Sequence, residues 1–264
     1  MSVLKRNRAI AYTEFERQMG NICKELKARL STLPVRYHKY LDRKIYEPAS
    51  RAFEAVILAN EKNAYNDKER QKRDALFHAA LAELAKLQKP LLAYWNIKDS
   101  KEGGMMQIAD MIGREYGLIY GILDRKDVPP MIVTIQKKKI KDLLFLGKMS
   151  ELHKYCYQKI GHAPNDCTDF ISARIADFAD TALYHVVLAN HKQPETRQEA
   201  EKRAEHLQGA IDCLNGMQRP MLALWNLMDY SENTMDEWSG LLDEEIRLLE
   251  GLKKSDKARY KGLK

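Results

Sequence analysis

Sliding the sequence along itself by 130 positions lays Val56-Ile57-Leu58-Ala59-Asn60-Glu61-Lys62 on Val186-Val187-Leu188-Ala189-Asn190-His191-Lys192. The same shift lays Leu87-Gln88-Lys89-Pro90-Leu91-Leu92-Ala93-Tyr94-Trp95-Asn96 on Met217-Gln218-Arg219-Pro220-Met221-Leu222-Ala223-Leu224-Trp225-Asn226, with no gap between. It even carries Met1, Val3 and Ile10 onto Met131, Val133 and Ile140. A period this long exceeds the roughly 20–50 residues of a solenoid unit. It is the length of a small domain. The chain therefore reads as a tandem duplication, with one repeat over residues 1–128 and the second over 131–264. Each is long enough to bury its own core.

Periodicity says what each repeat is made of. Phe15, Met19, Ile22, Leu26 and Leu30 step by three and four, the spacing of one helix face, and Leu33-Pro34 stops the run. A second helix is expected from Tyr37 to Asn63, with Leu41, Ile45, Ala49, Ala52, Phe53, Val56 and Ala59 inward and Pro48 as a point of kinking or breakage. A third runs from Asp67 to Ile97 with a kink at Pro90, which Pro220 repeats. The fourth takes Met105, Ile108, Ile112, Leu118, Ile119 and Ile122, after a turn at Asp99 or Ser100. The second repeat follows the same plan, and Asp127-Val128-Pro129-Pro130 is a short stiff linker. Thirteen glycines and eight prolines are few beside the helix-forming Ala, Leu, Glu, Lys and Arg. No stretch alternates with period two for long enough to be a sheet. The expected fold class is all-α: two tandem up-down four-helix bundles in a pseudo-two-fold relation.

Chemistry-bearing motifs are scarce. Cys23, Cys156, Cys167 and Cys213 form no CxxC pair and do not recur, so they read as reduced thiols of a cytoplasmic protein. No apolar run approaches the roughly 20 residues of a membrane span, and the N-terminus carries no hydrophobic signal core. A di-iron bundle needs Glu-x-x-His pairs, and here no Glu has His three places on. His185 and His191 share no helix face; Asp74 and His78 could touch, but Ala204 and Gln208 replace them in the second repeat. With no phosphate loop, nucleophile elbow or HExxH, the expectation is a binding protein without cofactor or metal, not an enzyme.

Charge is the remaining signal. The net +7 is clustered: Lys5, Arg6 and Arg8 near the start; Lys137, Lys138, Lys139 and Lys141 opening the second repeat; Lys253, Lys254, Lys257, Arg259, Lys261 and Lys264 at the end. Lys62/Lys192, Lys72/Lys202 and Arg73/Arg203 recur around the turn between the second and third helices, joined by Lys68, Arg70 and Arg197. Clusters of this kind either solubilise the chain or attract polyanions, of which nucleic acid is the commonest in a cytoplasm. Asn60 and Asn190 fit helix closure in the left-handed conformation, the alternative being a partner or phosphate contact from a helix end. Trp95 and Trp225, beyond the repeated prolines, fit core anchors.

The segments "AVILANEKN" and "HVVLANHKQ", the charged turn, and "ERQKRDALFHAALAELAKLQKPLLAY" together resemble the four-helix-bundle family related to the ribosomal intervening-sequence protein. That family includes the accessory variability determinants of diversity-generating retroelements. The resemblance covers the chain once per repeat. It implies a basic, non-enzymatic partner of a reverse transcriptase that binds template RNA and assembles as a ring of bundles. Lys62, Lys72, Arg73, Lys192, Lys202 and Arg203 would then face nucleic acid or polymerase. A rival reading is a protein-interaction adaptor of a phage or mobile element whose charge is incidental.

Overall fold

The computed structural model describes residues 3–62, 66–98, 103–123, 143–163, 168–228 and 230–263. They are helical almost throughout, with no strand among the described residues. The helices are α1 (Val3–Leu30), α2 (Val35–Asn60), α3 (Asp67–Lys86), α4 (Gln88–Lys98) and α5 (Gly103–Ile122). There follow α6 (Leu144–Ile160), α7 (Asp169–Ala189), α8 (Arg197–Leu227) and α9 (Glu232–Arg259). The 130-position shift carries the end of α1 onto the end of α6, and the start of α3 onto the start of α8.

The chain divides into two compact units. Unit 1 comprises Met1–Leu91 with Ser100–Thr134, and unit 2 comprises Leu92–Asp99 with Ile135–Lys264. Within unit 1, α1 packs on α2 and α5, α2 packs on α3, and α3 meets α5. Within unit 2, α6 packs on α7, α7 on α8, α8 on α9, and α9 on α6. The apolar stripes account for these contacts. Phe15, Met19, Ile22, Leu26 and Leu30 are all buried, as are Leu41, Ile45, Ala49, Ala52, Val56 and Ala59. Leu118 departs from its expected place and is 37% exposed, while its neighbour Ile119 is buried.

The prolines behave unequally. Pro48 lies inside an uninterrupted α2. Around Pro90 the expected single helix is divided: α3 ends at Lys86, and the Leu87 amide donates to Leu84 three residues back. A proline has no N–H to offer the fourth carbonyl before it, so the ladder already lacks a rung at this place. Around Pro220 the same loss is absorbed, and α8 runs 31 residues without interruption.

The helix entries are specified locally. Pro34 precedes α2 with φ −56°, extended, where its missing N–H is no loss. Asn66 caps α3 by accepting from the Glu69 amide at 2.9 Å. Thr196, its counterpart, caps α8 with a full capping box: its side chain accepts from the Glu199 amide, and Glu199 accepts from the Thr196 amide. Helix exits differ from expectation. Asn190 follows α7 with φ −103°, not the left-handed conformation, and Asn60 is still within α2, its amide donating to Glu16 at 3.1 Å.

Close approach of α7 and α8 depends on two glycines one heptad apart. A Cβ at Gly209 would lie 3.0 Å from the His185 ring, and one at Gly216 would lie 2.8 Å from the Phe178 ring. His185 uses that space to meet His206, Nδ1 to Nδ1 at 3.1 Å, where burial pushes the His206 pKa down. Among the described residues, no helix is long and apolar enough to cross a membrane.

Candidate nucleic-acid interface

Three chain segments meet at one end of unit 2: the exit of α7, the entry of α8 and the last turns of α9. Arg203 ties them. Its Nε donates to Asp256 Oδ2 on α9 at 2.6 Å, and its Nη1 donates to the Ala189 carbonyl closing α7. Arg203 is only 9% exposed, and Asp256 is buried with it. A guanidinium so committed is part of the interior. The intervening turn is clamped as well. Glu199 accepts from the Glu195 amide at 2.8 Å and from Lys192 Nζ at 2.9 Å, and these contacts hold its carboxyl down to about 2. Lys192 is held charged in return, with Glu195 as a second partner at 3.6 Å.

What is left over at this end is positive. Lys202, Lys254, Lys257 and Lys261 are exposed, and no described acidic group lies within ion-pair distance of them. A cleft here has a floor of Ala200, Ala204 and Tyr260 and a rim that includes Arg197, Lys257 and Lys261. Arg197 is paired with Glu201 at 3.0 Å, and Lys253 donates to Gln208 across to α8. Such a cleft offers several ammonium groups beside an aromatic ring, a combination suited to a phosphate and an attached base or sugar.

In unit 1 the counterparts are arranged differently. Lys62 and Lys72 are exposed. Arg73 is mostly covered and pairs with its own neighbour Asp74 at 2.9 Å, while Arg70 reaches Asp67 at 3.5 Å. Lys137, Lys138, Lys139, Lys141, Cys167 and the linker prolines lie outside the described residues, as do the side chains of Lys5, Arg6 and Arg8. Thus Lys62, Lys72, Lys202 and Lys254 present charge outward, whereas Arg73, Lys192, Arg203 and Lys253 are engaged within the protein.

Two features had not been singled out from the sequence. The first is Glu115, with no solvent exposure and neither carboxylate oxygen hydrogen-bonded among the described residues. Burial, with the nearby Glu14 charge adding to it, raises its pKa to about 8. Glu245 stands at the same place in the second repeat, equally buried and unbonded, raised by burial to about 9 with Glu244 contributing. The shift that aligns the repeats pairs these two residues, so the signal was present in the sequence.

The second feature is a polar chain inside unit 2. The Asn96 amide donates to the Ser150 carbonyl at 3.1 Å, which fixes its orientation, and to His153 Nδ1 at 3.0 Å. His153 must therefore carry its proton on Nε2, which faces Asp180 at 3.1 Å. Tyr157 donates to the same carboxylate at 3.0 Å. The Ser150 hydroxyl donates to Asn96 at 2.5 Å and not to the imidazole, so the proton relay of a nucleophilic triad is not assembled. Its counterparts Gly20, Cys23, Lys27 and Ser50 could not have announced it. Among the described residues, no group of three or more His, Cys, Asp or Glu is placed to hold a metal ion. Trp95 and Trp225 are half-buried, and the fully buried indole is Trp238. No model of a known family, no curated protein and no solved structure matches the chain.

Proposed function

We propose that this protein is a non-enzymatic, nucleic-acid-binding accessory factor built as two tandem up-down four-helix bundles. The single observation that carries the reading is the end of unit 2, where Lys202, Lys254, Lys257 and Lys261 stand outward while the adjacent acids Glu199, Glu201 and Asp256 are taken up by Lys192, Arg197 and Arg203. Basic groups from two distant stretches of sequence, Arg197 on one side and Lys257 with Lys261 on the other, line one cleft beside them. Binding is electrostatic and directed at phosphates, with RNA the favoured ligand. The retroelement resemblance extends this to cooperation with a reverse transcriptase.

A second reading has its own support. At the turns, Arg70, Arg73 and Lys192 are already neutralised by Asp67, Asp74 and Glu199, as expected for a protein-interaction adaptor with incidental charge. Titrating structured RNA, single-stranded DNA and duplex DNA across a salt series separates the two. The proposal expects tight binding that weakens steeply with salt, and a salt slope lowered by about 2–3 in the triple variant Lys254→Ala, Lys257→Ala, Lys261→Ala. Absence of binding at low salt leaves the adaptor.

A further inference from the structure

A second surface of unit 2 carries the opposite charge. Between α8 and α9 lies a groove with Leu222, Trp225 and Leu242 on its apolar side and Glu232, Asp236 and Asp243 along its acidic one. Leu222, in the groove, is 52% exposed. The three carboxylates are exposed, and no described cation pairs with them. Several other acids of unit 2 do have cation partners: Glu199 with Lys192, Glu201 with Arg197, Glu244 with Lys148, Asp256 with Arg203.

The first repeat keeps only part of this pattern. Glu102 stands at the counterpart of Glu232, but Met106 and Gly113 replace Asp236 and Asp243, so two of the three acids are particular to the second repeat. Leu92, the counterpart of Leu222, is 1% exposed, so the same helix position is covered in one repeat and open in the other. Apolar side chains left in water beside unpaired carboxylates match a ligand bearing both features in register. An amphipathic helix does so, its leucine-like stripe laid in the groove and its lysines or arginines reaching the rim.

We infer that the α8–α9 groove is a docking site for a basic amphipathic helix of a protein partner. Nucleic acid is repelled from this rim, so the site is separate from the lysine-lined end and independent of the reading above. The net charge of +7 also works against unspecific attraction of a cationic peptide, so capture requires the local acidic field.

The test titrates the full chain with two synthetic helical peptides sharing one leucine stripe, the first with lysines on its polar face and the second with glutamates. Calorimetry is expected to show binding of the lysine peptide only, weakened by salt and weakened roughly tenfold or more in the double variant Asp236→Asn, Asp243→Asn. Circular dichroism melts of that variant check that the fold is kept. Equal binding of both peptides, or unchanged affinity in the double variant, overturns the proposal. Concentration-dependent self-association that Leu222→Ser abolishes would assign the groove to a second copy, and overturns it too.

Discussion

Arg73 and Arg203 occupy the same place in the two repeats, yet they have different occupations. Arg73 folds onto Asp74, the next residue along the same helix, with both partners still touched by water. Arg203 crosses to Asp256 on α9 and to the last carbonyl of α7, almost wholly out of solvent. The two sequences also differ at the position of the acid that Arg203 reaches. Lys126 stands where the second repeat has Asp256, so the first repeat offers no acid at that place. Glu115 and Glu245 teach the converse, since identical residues meet identical fates. Recurrence of a residue is evidence about its function only when its surroundings recur as well.

That contrast can be broken most directly at the arginines. Arg203→Met leaves Asp256 buried beside an apolar side chain and is expected to cost about 3–5 kcal/mol in chemical denaturation. Arg73→Met should cost about 1 kcal/mol or less, as for a partly solvated pair. Equal losses would mean that the two arginines do the same work after all.

The glutamates sharpen it through pH. Below the ordinary carboxyl pKa of 4.5, folded and unfolded chains both hold the Glu245 proton. Between there and about 9, the unfolded chain has released it and the folded chain has not, so folding stability is lost as pH rises through that window. Glu245→Gln should remove a slope of up to about 1.4 kcal/mol per pH unit, and Glu115→Gln should act alike over a window ending near 8. Denaturation midpoints measured at several pH values check both, and an unchanged slope would show that these carboxyls are ionised in the fold.

Smaller effects separate the glycines. Gly216→Ala drives a methyl against Phe178 and is expected to lose about 1–3 kcal/mol. Gly113→Ala meets nothing within 4 Å and should gain about 0.5–1 kcal/mol from helix propensity. Thermal melts distinguish loss from gain. The caps should be equal in effect: Asn66→Ala and Thr196→Ala each cost about 1 kcal/mol. A much larger loss at Thr196 would show that the Lys192–Glu199 clamp acts through it.

Helices were legible because their signals are local. Stripes at three- and four-residue spacing, Pro34 before α2, and caps at Asn66 and Thr196 each lie within a few residues of what they specify. Interruption at Leu87 was not legible, because Pro90 and Pro220 are the same residue in similar sequence and only tertiary packing separates their outcomes. The charge pattern was legible in position but not in fate. Lys202 and Arg203 are adjacent in sequence, and a helix turns the first outward and the second inward. Burial of Arg203 depends on an acid 53 residues away. The Asn96–His153–Asp180–Tyr157 chain was invisible for the same reason, since its members come from three separate segments and the first repeat holds no copy.

Asn96 carries one more implication. Unit 2 draws its residues from both halves of the duplicated sequence, since Leu92–Asp99 belong to it. A gene fragment beginning at the second repeat would encode α6 to α9 without Asn96, leaving His153 Nδ1 and the Ser150 hydroxyl without the partner they have here. The duplicated halves are thus no longer interchangeable parts. Exchange between them by recombination would have to conserve an eight-residue insert from the other copy, which favours inheritance of the pair as one piece.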